Sequence, residues 1–263
     1  IHFCRRRKSL KKKTLSVVLA VFNEENNLAD CLESVKDLAD EFVVVDGGSV
    51  DKTVEIAEKF GAKIIKTNNP PIFHINKNKA IDSAKSDWIL QLDADERVSP
   101  ALKNEVKDVI SKDQKINGFW MPRKNFFIGR FLKKGGQYPD YTLRLYKKGK
   151  GRLPAKDVHE QVGVVGEVGY LKNDLIHLRD TNFKKYWDGL NRYTDIMAMQ
   201  LKNNEVKISI FTIFDYFFLK PMWWFLKTYF RHLGFLDSWQ GFVFSFFSSM
   251  RFPISYFKYV LKR

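Results

Sequence analysis

The chain has 263 residues, enough for one large α/β domain with an appendage or for two small domains. Its hydrophobic content of 44% is ample for a packed core. Its two cysteines, Cys4 and Cys31, are too few for a disulfide scaffold, so we expect a reducing cytosolic setting. The formal net charge of +15 at pH 7 predicts an anionic partner: nucleic acid, a nucleotide or an acidic lipid.

Part of this charge lies at the N-terminus. Residues 1–13, IHFCRRRKSLKKK, carry seven Lys and Arg side chains and no acidic ones. The segment is predicted to be either a solvated tail or a patch that binds an anionic membrane. Near such a membrane each basic residue contributes about 1 kcal/mol.

Residues 15–92 alternate between strand patterns and helix patterns. Short apolar, β-branched runs predict strands over 15–22, 41–46, 62–66 and 87–92. Apolar residues at helical spacing predict helices over 24–38, 50–61 and 76–85. Because the strands are apolar throughout and alternate with helices, we predict a parallel sheet covered on both faces.

The rest of the chain is first irregular and then helical. GFWMPRKNFF (118–127) and residues 141–147 have strand patterns, and residues 182–204 have a helical one. Of the 39 aromatic residues, 20 lie in 206–263, which predicts a boundary near residue 205. This last segment is expected to form two or more helices, broken around Pro221 and Gly234.

Three of the predicted strands end in polar clusters. These are Asn23-Glu24-Glu25, Asp46-Gly47-Gly48-Ser49 and Asp93-Ala94-Asp95-Glu96. In parallel α/β sheets, ligands bind beyond the carboxyl ends of the strands. Three such clusters at one edge therefore predict a binding site.

The last cluster favours a divalent cation. Asp93 and Asp95 are two residues apart, so in an extended strand both side chains point the same way. Paired carboxylates suit Mg²⁺ or Mn²⁺, completed by water and by the oxygens of a diphosphate. The alternative is a solvated loop in which Glu96 caps the next helix.

The cluster after the second predicted strand favours a nucleotide. In VVVDGGSVDKT, Gly47 and Gly48 allow a tight turn, and Asp46 could accept hydrogen bonds from a ribose or a base. Ser49 is predicted to cap the following helix, with Asp51 in its first turn. A well-capped turn without a ligand is the alternative.

These motifs together resemble the family 2 inverting glycosyltransferases. LSVVLAVFNEENNLADCLESV, VVVDGGSVDKT and NKNKAIDSAKSDWILQLDADE carry the likeness over about the first 100 residues. GGQYPDYTLRLYKKGKG, DVHEQV, LIHL and GFLDSWQGFVF extend it over most of 14–260, towards a bacterial subgroup that builds lipopolysaccharide core and related lipid-linked glycans. The resemblance implies a Rossmann-like nucleotide-sugar transferase fold of the GT-A type, with a mixed central sheet.

The resemblance also implies roles for individual residues. Asn23 and Glu24 would line the nucleotide site, and Asp46 would contact the base or the ribose. Lys77 and Asn78 would lie near the nucleotide. Asp93 would touch the ribose or the sugar, and Asp95 would ligate the metal, Mg²⁺ or Mn²⁺, in a site that Asp93 could share.

Four further residues complete the expected site. Many relatives have an acidic pair as catalytic base, where this sequence has His159-Glu160; we assign the base to Glu160, with Asp140 as its rival. His177 could be a further metal ligand, although a lone His between apolar residues is more often structural. Arg144 could hold the diphosphate. The alternative for Arg144 is a salt bridge to the acidic cluster.

The expected reaction moves a hexose from a nucleotide diphosphate sugar, by default a UDP-sugar, to a hydroxyl of a lipid-linked glycan, with inversion. A polyprenyl-phosphate sugar transferase is one alternative, and a scaffold without turnover is another. A nucleic-acid-binding protein would explain the charge and the aromatic residues. It would not explain three acidic strand ends, so we expect no nucleic-acid partner.

The C-terminal segment predicts membrane association without a membrane span. Its longest stretch without a charged residue or His, 238–250, has 13 residues, whereas a span needs about 20. We expect amphipathic helices on the cytoplasmic face of the inner membrane. A packed hairpin or a dimer interface is the alternative. The predicted organisation is therefore a tail (1–13), a catalytic domain (14–205) and a membrane-associating region (206–263).

A face of small residues in the last segment predicts close packing. Ser238, Gly241, Ser245 and Ser248 or Ser249 recur at helical spacing. Small residues allow helix backbones to approach closely, so this face is expected to pack against a neighbouring helix.

Overall fold

A computed structural model describes residues 13–70, 72–154 and 161–262. The chain divides into two compact units. Unit 1 comprises Ile1–Met121 and Thr142–Leu175, and unit 2 comprises Pro122–Tyr141 and Ile176–Arg263. The predicted boundary near residue 205 therefore falls inside unit 2.

Strands and helices are interspersed up to residue 111, and the elements described from residue 118 to residue 180 are strands. In order, the elements are β1 (Leu15–Val21), α1 (Leu28–Glu33), β2 (Glu41–Asp46), α2 (Thr53–Lys59), β3 (Lys63–Lys66), α3 (His74–Ser83), β4 (Trp88–Gln91), β5 (Glu96–Val98), α4 (Pro100–Ser111), β6 (Gly118–Phe127), β7 (Arg130–Phe131), β8 (Asp140–Lys147), β9 (Gly151–Arg152), β10 (Gly163–Val164), β11 (Val168–Tyr170) and β12 (Leu175–Asp180).

Unit 1 contains a mixed sheet, as expected. Within unit 1 the strand order is β3-β2-β1-β4-β8, and β11 pairs with the first residues of β6. The pairs β1–β2, β2–β3 and β1–β4 are parallel, and β4–β8 is antiparallel. The parallel half brings the carboxyl ends of β1, β2 and β4 to one edge of the sheet, so the polar clusters that follow them share that edge.

The strand predictions succeed because β1, β2 and β4 are covered on both faces. Leu15, Val17, Leu19, Val44 and Leu90 belong to one buried apolar cluster, and Val18, Val43, Val45 and Ile89 belong to a second. Strands buried on both faces have continuous apolar sequences, which is the pattern used to predict them. The first helix is shorter than expected: α1 ends at Glu33, and turns continue to Ala39.

The remaining chain is helical and belongs to unit 2. Its elements are α5 (Phe183–Asn203), α6 (Ile210–Phe214), a π-helical segment (Asp215–Leu219), α7 (Lys220–Leu226), a second π-helical segment (Lys227–Arg231), a 3₁₀ turn (Gly234–Asp237), α8 (Ser238–Ser249) and α9 (Arg251–Leu261). The predicted break at Gly234 is confirmed. The predicted break at Pro221 is wrong, because Leu219 and Lys220 keep right-handed helical backbone angles and the chain stays helical from the π-helical segment into α7.

Two contacts organise these helices. Helix α9 packs on α5 through Ala198, Leu201, Tyr256 and Tyr259. Four small residues of the predicted face of α8 are buried, Gly241, Ser245, Ser248 and Ser249, whereas Ser238 at the start of α8 is exposed. The indole Nε1 of Trp224 in α7 donates a hydrogen bond to Ser248 Oγ at 3.0 Å. The small-residue face is thus used within the chain.

The C-terminal helices also expose large apolar side chains. The exposed fractions of Phe211, Phe218 and Trp223 are 82%, 61% and 56%. Within the described ranges, no helix is both long and apolar enough to cross a membrane.

Candidate functional site

The loops that follow β1 and β2 are tied together by reciprocal hydrogen bonds. The backbone N–H of Asn23 donates to Ser49 Oγ at 2.9 Å, and the Asn23 side-chain oxygen accepts from the Val50 N–H at 2.9 Å. Asn23 has a φ of 54°, a left-handed conformation that Asn tolerates better than most residues. The two predicted polar clusters therefore form one structure at the sheet edge.

The same contacts correct the predicted role of Ser49. Helix α2 begins at Thr53, and Ser49 accepts from Asn23 instead of capping it. Asp51 accepts from the Thr53 backbone at 3.0 Å, and Thr53 Oγ1 accepts from the Glu24 N–H at 2.7 Å. A local cap was predicted, but the Ser49 partner lies on another loop.

Asp46 holds the glycine turn from inside. Its carboxylate accepts from the backbone N–H groups of Gly48 at 3.1 Å and Ser49 at 3.2 Å, and its side chain is buried. Gly48 has a φ of 89°, a backbone conformation that residues other than glycine rarely adopt. Asp46 is rigidly placed at the sheet edge, and its contact with a base or ribose stays a prediction.

Two cations of unit 1 pair with Asp93 and Glu96 of the acidic cluster after β4. Asp93 forms ion pairs with Lys77 of α3 and with Arg144 of β8, the latter at 2.5 Å. Arg144 also reaches Glu96 at 2.8 Å. Glu96 is fully buried, and its second oxygen accepts from the Asp93 N–H at 3.0 Å. The salt-bridge alternative for Arg144 is the one found.

The charge of Arg144 is stabilised by these carboxylates. Burial disfavours its charged form, but Asp93 and Glu96 together outweigh burial and raise the Arg144 pKa. Its Nε is buried without a hydrogen-bond partner among the described residues. Arg144 therefore stays positively charged at the sheet edge.

A divalent cation fits this cluster only in part. Both Asp93 oxygens face cations, and no group of three or more His, Cys, Asp or Glu suited to a metal occurs in the part of the chain that the structure describes. Asp95 is half-buried two residues further on. The donor set suits a cation held by Asp95 and completed by phosphate and water oxygens. The roles of Asp93, Asp95 and His177 as metal ligands stay predictions.

Asn78 has a visible structural task. Its side-chain amide donates to the Leu153 carbonyl at 2.9 Å and accepts from the Leu153 N–H at 3.1 Å. The amide thus holds the backbone just before residues 155–160. The predicted place of Asn78 near the nucleotide stays a prediction.

Asp140 and His177 lie together in unit 2. Asp140 Oδ2 accepts from Arg123 Nη2 at 2.7 Å and from Asn125 Nδ2 at 3.1 Å. Asn125 Oδ1 lies 2.7 Å from His177 Nδ1, within hydrogen-bonding distance. A chain of hydrogen bonds links Arg123, Asp140, Asn125 and His177.

These four residues line a pocket of about 250 Å³ in unit 2. Its wall also includes Arg179, Tyr186 and Arg251. No sequence pattern indicated these three residues, nor Arg123 and Asn125. Tyr186 and Arg251 are on helices far apart in the chain, and helical periodicity carries no signal that they share a pocket.

The favoured catalytic base is not placed. Glu160 and the preceding His159 lie outside the described residues, so the assignment of Glu160 over Asp140 stays a prediction.

The family model and two relatives that this chain matches are all glycosyltransferases. Residues 16–165 match the family "Glycosyl transferase family 2". The lipopolysaccharide core biosynthesis glycosyltransferase LpsC of Rhizobium meliloti is 27% identical over 92% of this chain and 93% of its own. An uncharacterized glycosyltransferase of Rickettsia conorii is 29% identical over 90% of this chain and 86% of its own.

A solved structure supports the fold. The mannosyltransferase PcManGT of Pyrobaculum calidifontis, in complex with GDP-Man and Mn²⁺, aligns over 96% of this chain and 88% of its own. The TM-score is 0.53 and the sequence identity is 11%, so this likeness concerns the fold alone.

Proposed function

The chain belongs to glycosyltransferase family 2, and on this premise we propose that it transfers a hexose from a nucleotide diphosphate sugar to a hydroxyl of a lipid-linked glycan, with inversion. The observation that carries the proposal is the sheet edge of unit 1. There, the interlocked loops after β1 and β2 share an edge with an acidic cluster braced by Lys77 and Arg144.

The donor would be held by groups already in position. Asn23, Glu24 and Asp46 frame the polar loops, and their backbone is fixed by the contacts between them. Lys77 and Arg144 supply positive charge for the diphosphate, and Asp95 would hold Mg²⁺ or Mn²⁺. Such a cation would neutralise charge on the departing diphosphate. The same-fold mannosyltransferase was solved with Mn²⁺ and a nucleotide sugar, which supports this choice.

Inversion would follow from a single attack opposite the leaving group. The base would take the proton of the acceptor hydroxyl as its oxygen attacks the anomeric carbon. We assign this role to Glu160. Asp140 is the rival, because its Oδ2 is held by Arg123 while Oδ1 makes no hydrogen bond to the described residues.

The acceptor class is proposed from the relatives and from unit 2. The similarity to LpsC supports a lipopolysaccharide-core glycan as acceptor. The exposed aromatic side chains of the C-terminal helices suit peripheral binding to an anionic membrane, on the cytoplasmic face of the inner membrane. That location would bring the enzyme to a lipid-linked substrate.

The first experiment is a titration of UDP- and GDP-sugars, with Mn²⁺, Mg²⁺ or a chelator, followed by donor hydrolysis. We expect one donor to bind and turn over slowly, and chelation to abolish both. Asp95→Asn should lower metal-dependent turnover by about a hundredfold or more without unfolding the protein. Asp108→Asn is the matched control, since it removes one exposed carboxylate from α4. Full activity of Asp95→Asn would refute the metal site.

Glu160→Gln separates the proposal from its main alternative. A hydroxyl acceptor needs a base, so turnover should collapse in this variant. If turnover largely persists while Asp140→Asn is inactive, Asp140 is the base. If both variants stay active, a phosphate acceptor that needs no base, as in polyprenyl-phosphate sugar transfer, replaces the proposal.

A further inference from the structure

Among the described residues that line the pocket of unit 2, one cation, Arg251, has no carboxylate partner. Arg123 is paired with Asp140 at 2.7 Å, and Arg179 lies 3.9 Å from Asp180. Arg251 has no ion pair with any residue in the described ranges, and its Nε is buried without a hydrogen-bond partner. The pocket therefore has a positive charge in excess.

Arg251 is nevertheless held in place. Its guanidinium carbon lies 3.8 Å from the ring centroid of Trp224 and 4.8 Å from that of Phe252. Stacking on aromatic rings fixes the guanidinium plane while leaving its N–H groups to bind an anion. A fixed cation without a carboxylate is suited to receive an oxyanion from outside.

Tyr186 provides a second, independent sign of a ligand. Its side chain lines the same pocket and is only 8% exposed, yet its hydroxyl has no partner among the residues that the structure describes. Buried hydroxyls are normally hydrogen-bonded, because leaving one unpaired costs about 1–3 kcal/mol. A ligand oxygen in this pocket would satisfy it.

The size and walls of the pocket suit one sugar ring. Its volume is about 250 Å³, and Phe126, Tyr193 and Phe244 form apolar parts of its wall. Drug-sized ligands need pockets of about 300–1,000 Å³, so a single ring with a charged group is the right scale.

We propose that this pocket binds an anionic sugar of the acceptor glycan, with Arg251 facing its phosphate or carboxylate and Tyr186 donating a hydrogen bond to it. The inference rests on the proposed transferase function, since it names the acceptor class. Phosphate and carboxylate present the same oxyanion chemistry to Arg251, and the experiment separates them.

The test is calorimetric titration of the full chain, saturated with UDP and Mn²⁺, with glucose 1-phosphate, glucuronate and methyl glucoside. We expect at least one acidic sugar to bind more tightly than the neutral one. Arg251→Gln should weaken that binding about tenfold or more, and Tyr186→Phe severalfold. Arg192→Gln, an exposed arginine of α5, removes the same charge outside the pocket and should change neither.

Each outcome bears on a separate claim. Equal binding of all three sugars, or an equal loss in Arg192→Gln, overturns the pocket, because bulk charge would then explain the result. A loss of UDP binding in Arg251→Gln or Tyr186→Phe assigns the pocket to the donor and also overturns it. If the wild-type protein binds no nucleotide, the proposed function is refuted. Titration of the sugars without UDP then tests by itself whether the pocket binds an acidic sugar. Tyr186→Phe removes one oxygen and guards against misfolding of Arg251→Gln.

Discussion

In unit 1 the carboxylates after β4 face cations of the same unit, whereas in unit 2 Arg251 and the Tyr186 hydroxyl line a pocket without such partners. Asp93 and Glu96 share Arg144, and Lys77 completes the pairing of Asp93. Arg251 stacks on the rings of Trp224 and Phe252, and the Tyr186 hydroxyl has no hydrogen bond to a described residue. The pairing of Asp93 and Glu96 is made by protein groups alone, whereas the pocket of unit 2 offers its cation to the ligand proposed above.

The two regions also differ in what holds them together. Buried ion pairs hold the polar edge of unit 1, and breaking one leaves an uncompensated charge. Unit 2 depends on close backbone approach between α8 and the Gly234 turn, together with aromatic packing. The difference predicts that charge removal damages unit 1 most and that added volume damages unit 2 most.

The largest effect is expected for Arg144→Met. Removing the guanidinium leaves Glu96, which is fully buried, without its cation, so the free energy of unfolding should fall by about 3–5 kcal/mol. Urea denaturation measures the change. Arg152→Met is the control, because Arg152 pairs with Asp82 on the surface and should cost less than about 1 kcal/mol.

A double variant sharpens the same comparison. Arg144→Met combined with Glu96→Gln removes both charges, so it should be more stable than Arg144→Met alone. If adding Glu96→Gln does not raise the free energy of unfolding, the unpaired charge of Glu96 does not explain the instability of Arg144→Met. The claim that buried ion pairs stabilise unit 1 would then be wrong.

The next effect is expected for Gly241→Ala. A Cβ at this position would lie 1.9 Å from the Gly234 carbonyl oxygen, so α8 must move. We expect a loss of about 1–3 kcal/mol or more, read as a lower unfolding temperature and faster proteolysis of the C-terminal helices. Gly163→Ala in unit 1 is the control, because its Cβ would meet nothing closer than 3.8 Å. Equal losses in both variants would contradict the packing argument.

The parts of the fold that sequence patterns predicted share a physical origin. β1, β2 and β4 are buried on both faces, and such strands appear in the sequence as short apolar runs. The polar residues that follow them lie at one sheet edge because parallel strands end there. Gly241 was assigned to a close-packed face because only small residues repeat at that spacing.

The parts that patterns missed depend on partners distant in sequence. The Ser49 hydroxyl binds Asn23, 26 residues away, so a local capping rule could not find it. The sequence left two roles open for Arg144, diphosphate binding and a salt bridge. Only the structure shows its pairing with Asp93 and Glu96. The sequences around Tyr186 and Arg251 are those of ordinary helices and do not mark these two residues. Their pocket forms only when the helices pack together.

The smallest effect on stability, and the sharpest on function, is expected for Phe211→Ser in the first turn of α6. Phe211 is 82% exposed, so its replacement should change the free energy of unfolding by less than about 0.5 kcal/mol. If the side chain inserts into a membrane surface, the lost apolar burial should weaken binding to anionic vesicles by about tenfold in a sedimentation assay. Tyr170→Ser, which replaces an exposed aromatic residue of unit 1, should leave vesicle binding unchanged. Equal vesicle binding by both variants and the wild type would mean that the exposed aromatic surface of unit 2 serves another contact, because a membrane that buries Phe211 cannot be indifferent to its loss.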